Sequence, residues 1–441
     1  MSTAYLHRTT TSTGSNTTAT FSAWVKRATT DTRDVIWAGW ESSTERMVCG
    51  FESSGRLQMQ IFTGGTAHDL ETSRLFMDIG AWYHIVFQFD TSNASEPERF
   101  KMWVNGVQET AFNVDDTISQ DIEMKMWGST SQETIVGARK NSGYEHFFNG
   151  CISNVHIIDG TVYAPTEFGE IDATSGMWKF KNPSGLTYGT NGTFLLDNGA
   201  VTTDSSSNSN NYSTGGTLTK TEDNPSNNYS TWNYLVQSDG LSSPTFLNGA
   251  TFLQAASNTP KNYAVSSMAM PRTGKYFSEH KIVTNDDVIQ FGIVSTDQAT
   301  ERFQSNTNFS ASTEAMMYFC PEGKITYNNV NQVDGITTAG NNDIVGLAID
   351  MDNELMYIYV NGALANSGGT SFTSKVTGNF VYMCTGDDTS SGNDSVYSNF
   401  GNGYFGTTAI SSAGTNASNN GSFEYDVPAG FGALCTKQIN S

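Results

Sequence analysis

The stretches FKMWVNGVQ (Phe100–Gln108) and MYIYVNGAL (Met356–Leu364) repeat one pattern in two distant parts of the chain. In each, an apolar, aromatic-rich run stops at Asn-Gly and then restarts. A two-residue hairpin that suits twisted strands needs positive φ at both central residues, and Asn and Gly tolerate that best. Asn105-Gly106 and Asn361-Gly362 are therefore each expected to join two antiparallel strands. The two-residue period of a strand puts Phe100, Met102 and Val104 on one face, and Met356, Ile358 and Val360 likewise. Trp103 and Tyr359 fall on the opposite face, at matching positions.

The likeness extends upstream. YHIVFQFD (Tyr83–Asp90) precedes the first phrase and VGLAIDMDNE (Val345–Glu354) the second. Both alternate and both end in Asp and a polar turn, so the repeated unit is a three-strand meander. A meander cannot bury its apolar face alone and needs a second sheet. Two meanders in two halves imply two β-sandwiches.

Composition agrees. The chain has 441 residues, too many for one core. It is 37% hydrophobic and 12% aromatic but only 15% charged. No long stretch has a helical period. The formal net charge of −21 repels phosphate backbones and anionic lipid, so neither nucleic acid nor a membrane surface is an expected partner. The first residues lack an apolar core run and no run reaches membrane-spanning length, so neither a signal peptide nor membrane insertion is expected. Five scattered cysteines are expected to be buried thiols.

Strand patterns delimit a first sandwich over residues 1–165 and a second over 236–441. Residues 166–235 hold DSSSNSNNYSTGG and EDNPSNNYSTWNYL, poor in aliphatics, and are expected to be an irregular connector.

At these residues the chain resembles known families. FSAWVKR, AWYHIVFQFD, FKMWVNGV and FFNGCISNVHIIDGTVYAPTEFGEID look like a laminin-G-like, concanavalin A-type lectin sandwich. TGKYFSEHKI, IQFGIVS and DIVGLAIDMDNELMYIYVNG look like a SPRY sandwich. Their order, with the bridge DNPSNNYSTWNYL and the ending FEYDVPAGFGALCTKQIN, resembles virion proteins of marine tailed bacteriophages. The resemblance implies an all-β chain of two concanavalin A-like antiparallel sandwiches. It also implies a structural protein of the exposed virion surface, made in the host cytoplasm. The role implied is a tail-fibre or other fibre component with lectin-like domains for host-surface glycans. The alternative is a purely architectural virion protein (capsid decoration, head fibre or tail-joining subunit) with no ligand.

Concanavalin A-type sandwiches also include glucanases, whose paired glutamates share one face of a strand. Here Glu170 and Asp172 lack the later partner, since Thr174 and Ser175 stand in its place, and no enzyme is expected. No cofactor is expected. No zinc pattern is present, and His84, inside a strand, reads as structural. Acidic loops supply candidate calcium ligands at Asp115, Asp116, Asp121, Asp387 and Asp388. Aromatics near expected loops are the carbohydrate-binding candidates: Trp37, Trp40, Trp127, Tyr144, Tyr327 and Tyr397. Trp103 and Tyr359, facing outward beside exposed hairpins, are the interface candidates. The expected partners are other virion proteins, host glycans and further copies of this chain, with a trimer favoured.

Overall fold

The computed structural model describes residues 3–197, 199–237, 244–255, 262–286, 288–299, 309–387 and 393–440. The chain divides into two compact units, Met1–Lys220 and Thr221–Ser441.

In the first unit two antiparallel sheets pack face to face. The eight-stranded sheet runs, edge to edge, Phe112–Asp115, Thr66–Leu75, Arg56–Thr63, Glu45–Phe51, Asp34–Ser42, Glu133–Val136, Tyr5–Thr9 and Ser213–Gly215. The six-stranded sheet runs Thr193–Leu195, Gly150–Asp159, Thr18–Arg27, Tyr83–Asp90, Phe100–Val104 and Val107–Glu109. Alternation along these strands supplies the core between them: Phe21, Phe87, Met102 and Val104 from one sheet, Trp37, Met47, Phe51 and Met59 from the other.

The second unit repeats this plan. Phe380–Asp387, Ile289–Ser295, Ala315–Phe319 and Lys324–Tyr327 form the middle of one sheet. Ser395–Asn399, Lys275–Thr284, Ile344–Asp350 and Leu355–Val360 form the middle of the other. The His280 ring of the second sheet stacks on Phe291 of the first at 4.8 Å, which marks the interior between them. The protein is thus all-β, with two sandwiches. Both Asn-Gly turns join antiparallel strands, with φ of 50° and 75° at Asn105 and Gly106 and of 49° and 80° at Asn361 and Gly362.

The segment expected as connector, 166–235, is built into the units. Thr193–Leu195 extends the six-stranded sheet and Ser213–Gly215 the eight-stranded one. Phe168, Leu186 and Tyr188 cover the outer face of the six-stranded sheet, packing with Val86, Ile158 and Trp103. In the second unit Phe423, Val427 and Phe431 cover the corresponding face with Phe277 and Tyr359. Each sandwich therefore wears a strap of its own later chain. All five cysteines are free thiols, four of them buried and Cys151 half-buried.

Candidate functional site

On the outer face of the first unit's eight-stranded sheet, Ala138, Tyr144 and Phe147 pack against Val35, Ala38, Val48 and Ile135, and polar and aromatic side chains gather around that cluster. The pairing Glu133–Trp40–Arg46–Phe62 lays one continuous row across four strands. The next row is His7–Ile135–Ala38–Val48–Gln60–Asp69.

The short hairpin Arg139–Lys140/Tyr144–Glu145 brings further groups to the first row. The Lys140 ammonium lies 3.9 Å from the centre of the Trp40 ring and 5.3 Å from that of Tyr144. It also donates to Glu133 Oε1 at 2.6 Å, and the Tyr144 hydroxyl donates to Glu133 Oε2 at 2.9 Å. Tyr144 in turn stacks on Tyr5 at 4.1 Å. One carboxylate thus holds a cation between two aromatic rings, a partly buried arrangement in which cation–π attraction is stronger than at a fully wet surface.

Beside this cluster the face is paired charge. Arg33 meets Glu52 at 2.8 Å and donates to Gln58 Oε1 at 2.5 Å. Arg139 meets Glu145 at 3.0 Å and Arg56 meets Glu71 at 3.4 Å. The Arg46 guanidinium lies 3.8 Å over the Phe62 ring. Burial pushes the Glu52 and Asp69 carboxyls up, against the pull of Arg33 on Glu52 and the Gln60 hydrogen bond on Asp69. Burial, with the Glu133 carboxylate beside it, also raises the Tyr144 phenol. Trp40 Nε1, His7 Nδ1, Arg46 Nε and Asp69 Oδ1 have no hydrogen-bond partner. Rings flanked by amides, carboxylates and guanidiniums can take the apolar face and the hydroxyl fringe of a sugar together.

Of the six aromatic candidates, the structure brings Trp40 and Tyr144 together on this face. Trp37 and Trp127 are corrections: both are fully buried in the core, Trp37 stacked on Phe21 at 4.5 Å. A bulge between Val35 and Trp37 turns Val35 and Ala38 outward and leaves Ile36 and Trp37 facing the core. Tyr327 is half-buried, its hydroxyl bonded to Thr313 O at 3.1 Å. Tyr397 is half-buried against Phe252, 4.8 Å away. Trp103 and Tyr359 are also corrected. Neither stands out into solvent: the straps half-cover both, and Trp103 Nε1 donates to Gln88 at 2.8 Å.

Asp115, Asp116 and Asp121 are exposed, and Asp116 accepts the Asp69 N–H at 3.0 Å. Asp387 is buried at a strand end, and Asp388 lies outside the described residues. Among the described residues no three His, Cys, Asp or Glu side chains converge on one point. Glu170 and Asp172 flank Lys179 at 3.4 and 3.1 Å on the hairpin Gly169–Ile171/Trp178–Phe180. The Ser175 N–H and Lys179 hold Asp172 well below the usual carboxylate range, the reverse of what a general acid needs. His84 is buried and structural: Ser22 Oγ meets its Nε2 at 2.9 Å and the Trp178 indole donates to its Nδ1 at 3.0 Å. Burial lowers its pKa to about 3, so the ring stays neutral and Nδ1 can accept. Sequence reasoning missed Lys140, Glu133 and Tyr5: Glu133, Lys140 and Tyr144 lie close along the chain, but strand pairing alone brings Trp40 and Tyr5 to them.

Residues 2–165 match a laminin-G-like family described as the concanavalin A-like lectin/glucanases superfamily, well under half of the chain. No curated protein matches. Among solved structures, mouse laminin alpha1 chain domains LG4-5 are 9% identical over 98% of this chain and 85% of that one, with a TM-score of 0.30. The SPRY domain of human HERC1 is 17% identical, over 38% of this chain and 96% of that one, with a TM-score of 0.30. A putative carbohydrate binding protein from Bacteroides ovatus is 16% identical, over 49% and 56%, with a TM-score of 0.28. The first unit is thus similar to concanavalin A-like lectin/glucanase domains over residues 2–165, within an all-β chain of two antiparallel sandwiches.

Proposed function

We propose that the chain is a glycan-binding structural protein and that the outer face around Trp40, Lys140 and Tyr144 is its sugar platform. One observation carries this: Lys140 is held between two aromatic rings by Glu133, on a sheet face lined with paired polar groups. The similarity of residues 2–165 to concanavalin A-like lectin/glucanase domains supports it.

The finer reading rests on the order of motifs along the chain. It is that the protein sits on the outside of a tailed-phage particle, in a fibre, bound to other virion proteins as a homo-oligomer, and touches host polysaccharide.

The test uses the full chain and calorimetric titration with purified host capsule or lipopolysaccharide glycans. Wild type binds, and Trp40→Ala weakens binding by about tenfold, the scale of one ~1.4 kcal/mol contact. A panel with no binder, or an unaffected Trp40→Ala, would overturn the platform and favour the purely architectural role. Gold-labelled antibody on intact particles tests the location, and unlabelled particles would sink it.

A further inference from the structure

The second unit contains a cavity of about 320 Å³. It opens on the outer face of the sheet containing Ile289–Ser295, Ala315–Phe319 and Lys324–Tyr327. Register fixes which side chains share that face. Gln290 lies opposite Phe319, and Phe319 opposite Lys324; Gly292, Met317 and Thr326 make the next row. Phe319, Lys324 and Thr326 all line the cavity, with Asn329 and Asn331 from the following turn and strand.

The polar accounting on this face is incomplete. Thr326 is only 4% exposed, and its hydroxyl has no hydrogen-bond partner. In the adjacent row Gln290 is 0% exposed, and neither its amide nitrogen nor its oxygen is partnered. A buried hydroxyl or amide left unpaired is costly and rare in native proteins, and one that lines a cavity is satisfied by whatever enters. The charges at the rim cancel: Lys324 Nζ meets Glu322 at 2.5 Å and sits 4.7 Å over the Phe319 ring. Nothing remains to recruit a net ionic charge. The groups that remain are a hydroxyl, amides and the apolar surface of Phe319 and Val288.

We propose that this cavity binds a neutral, polyhydroxylated ligand the size of one sugar ring, with Thr326 taking a ligand hydroxyl at its inner end. The proposal deepens the glycan-binding reading by giving the second unit its own subsite, separate from the Trp40 platform.

The test is saturation-transfer-difference NMR on the full chain with free glucose, galactose, N-acetylglucosamine and rhamnose, followed by titration of whichever binds. Thr326→Val keeps the shape and removes the hydroxyl. It is expected to melt no lower than wild type yet bind roughly tenfold more weakly. Asn329, at φ 58°, tolerates glycine, so Asn329→Gly removes a second polar group without backbone strain and should also weaken binding. In a Trp40→Ala background, which removes the platform, Thr326→Val should still weaken the binding that remains, and that separates the subsite from the platform. Binding that survives both second-unit variants, or is lost only with Trp40→Ala, or is absent for every sugar tested, overturns the proposal.

Discussion

Asn105 clamps His84 with both ends of its residue: its own N–H donates to His84 O at 2.9 Å, and its side-chain Oδ1 accepts the His84 N–H at 2.8 Å. Asn361 does the same to Ile344, at 2.9 and 2.9 Å. The asparagine thus serves twice, supplying positive φ and closing the start of the neighbouring strand, Tyr83–Asp90 or Ile344–Asp350. Asn105→Ala and Asn361→Ala should each cost about 1–3 kcal/mol, by loss of the bond and by strain at positive φ. Asp at either position keeps the acceptor and should cost less. Chemical denaturation of the four variants checks the order, and equal losses for Ala and Asp would refute the clamp.

The glycine after each asparagine lies flat against an aromatic ring. A Cβ at Gly106 would come within 2.5 Å of Trp178, and one at Gly362 within 2.6 Å of Tyr425. Gly64 also has positive φ, 59°, but nothing within 4 Å of a Cβ. Alanine at Gly64 should cost only the backbone penalty of roughly 1 kcal/mol. Alanine at Gly106 or Gly362 should cost about 1–3 kcal/mol more and loosen the strap that carries the ring. Thermal melts with limited proteolysis read both effects.

Arg27 and Asp34 form an ion pair at 3.0 Å with neither side chain exposed. Arg27 also donates to Phe76 O at 3.1 Å and lies over the Phe51 ring. Arg27→Met strips a buried carboxylate of its counter-charge, leaving it only the Thr32 hydroxyl and the Asn149 N–H, and should cost ~3–5 kcal/mol at neutral pH. Arg27→Met with Asp34→Leu should recover most of that. A double-mutant cycle decides, and a double variant as unstable as the single one would contradict the pairing.

Glu279 gives the second unit a pH dependence. Burial raises its pKa to about 7, against the pull of the Tyr425 and Glu424 N–H groups, which donate to it at 2.9 and 2.8 Å. The folded protein therefore keeps a proton that the unfolded chain releases near pH ~4.5. That stability is full below pH ~4.5 and is lost as pH rises through about 7. The loss is on the order of 3 kcal/mol at most. Urea unfolding at pH 5 and pH 8 should show it, and Glu279→Gln should flatten the difference. A slope unchanged in that variant would assign the dependence elsewhere.

Much of this molecule was readable from the order of its residues. Alternation in YHIVFQFD, FKMWVNGVQ and their second-half counterparts specified strands, because a pleated backbone sends neighbours to opposite faces. Asn-Gly specified the hairpins, because few residues accept positive φ. Alternation does not say what lies over each face. Trp103 and Tyr359 read as outward, yet residues far along the chain cover them, Phe168 and Phe423 among them. Trp37 and Trp40, three residues apart on one strand, point to opposite faces, and the stacking of the second sheet on one of those faces buried Trp37 in the core and left Trp40 outside. Trp40 met Tyr144, Lys140 and Glu133 only through the pairing of Asp34–Ser42 with Glu133–Val136. Local sterics act within a few residues and are written in the sequence, whereas contacts across sheets depend on how distant strands choose their neighbours, and tertiary packing alone made that choice.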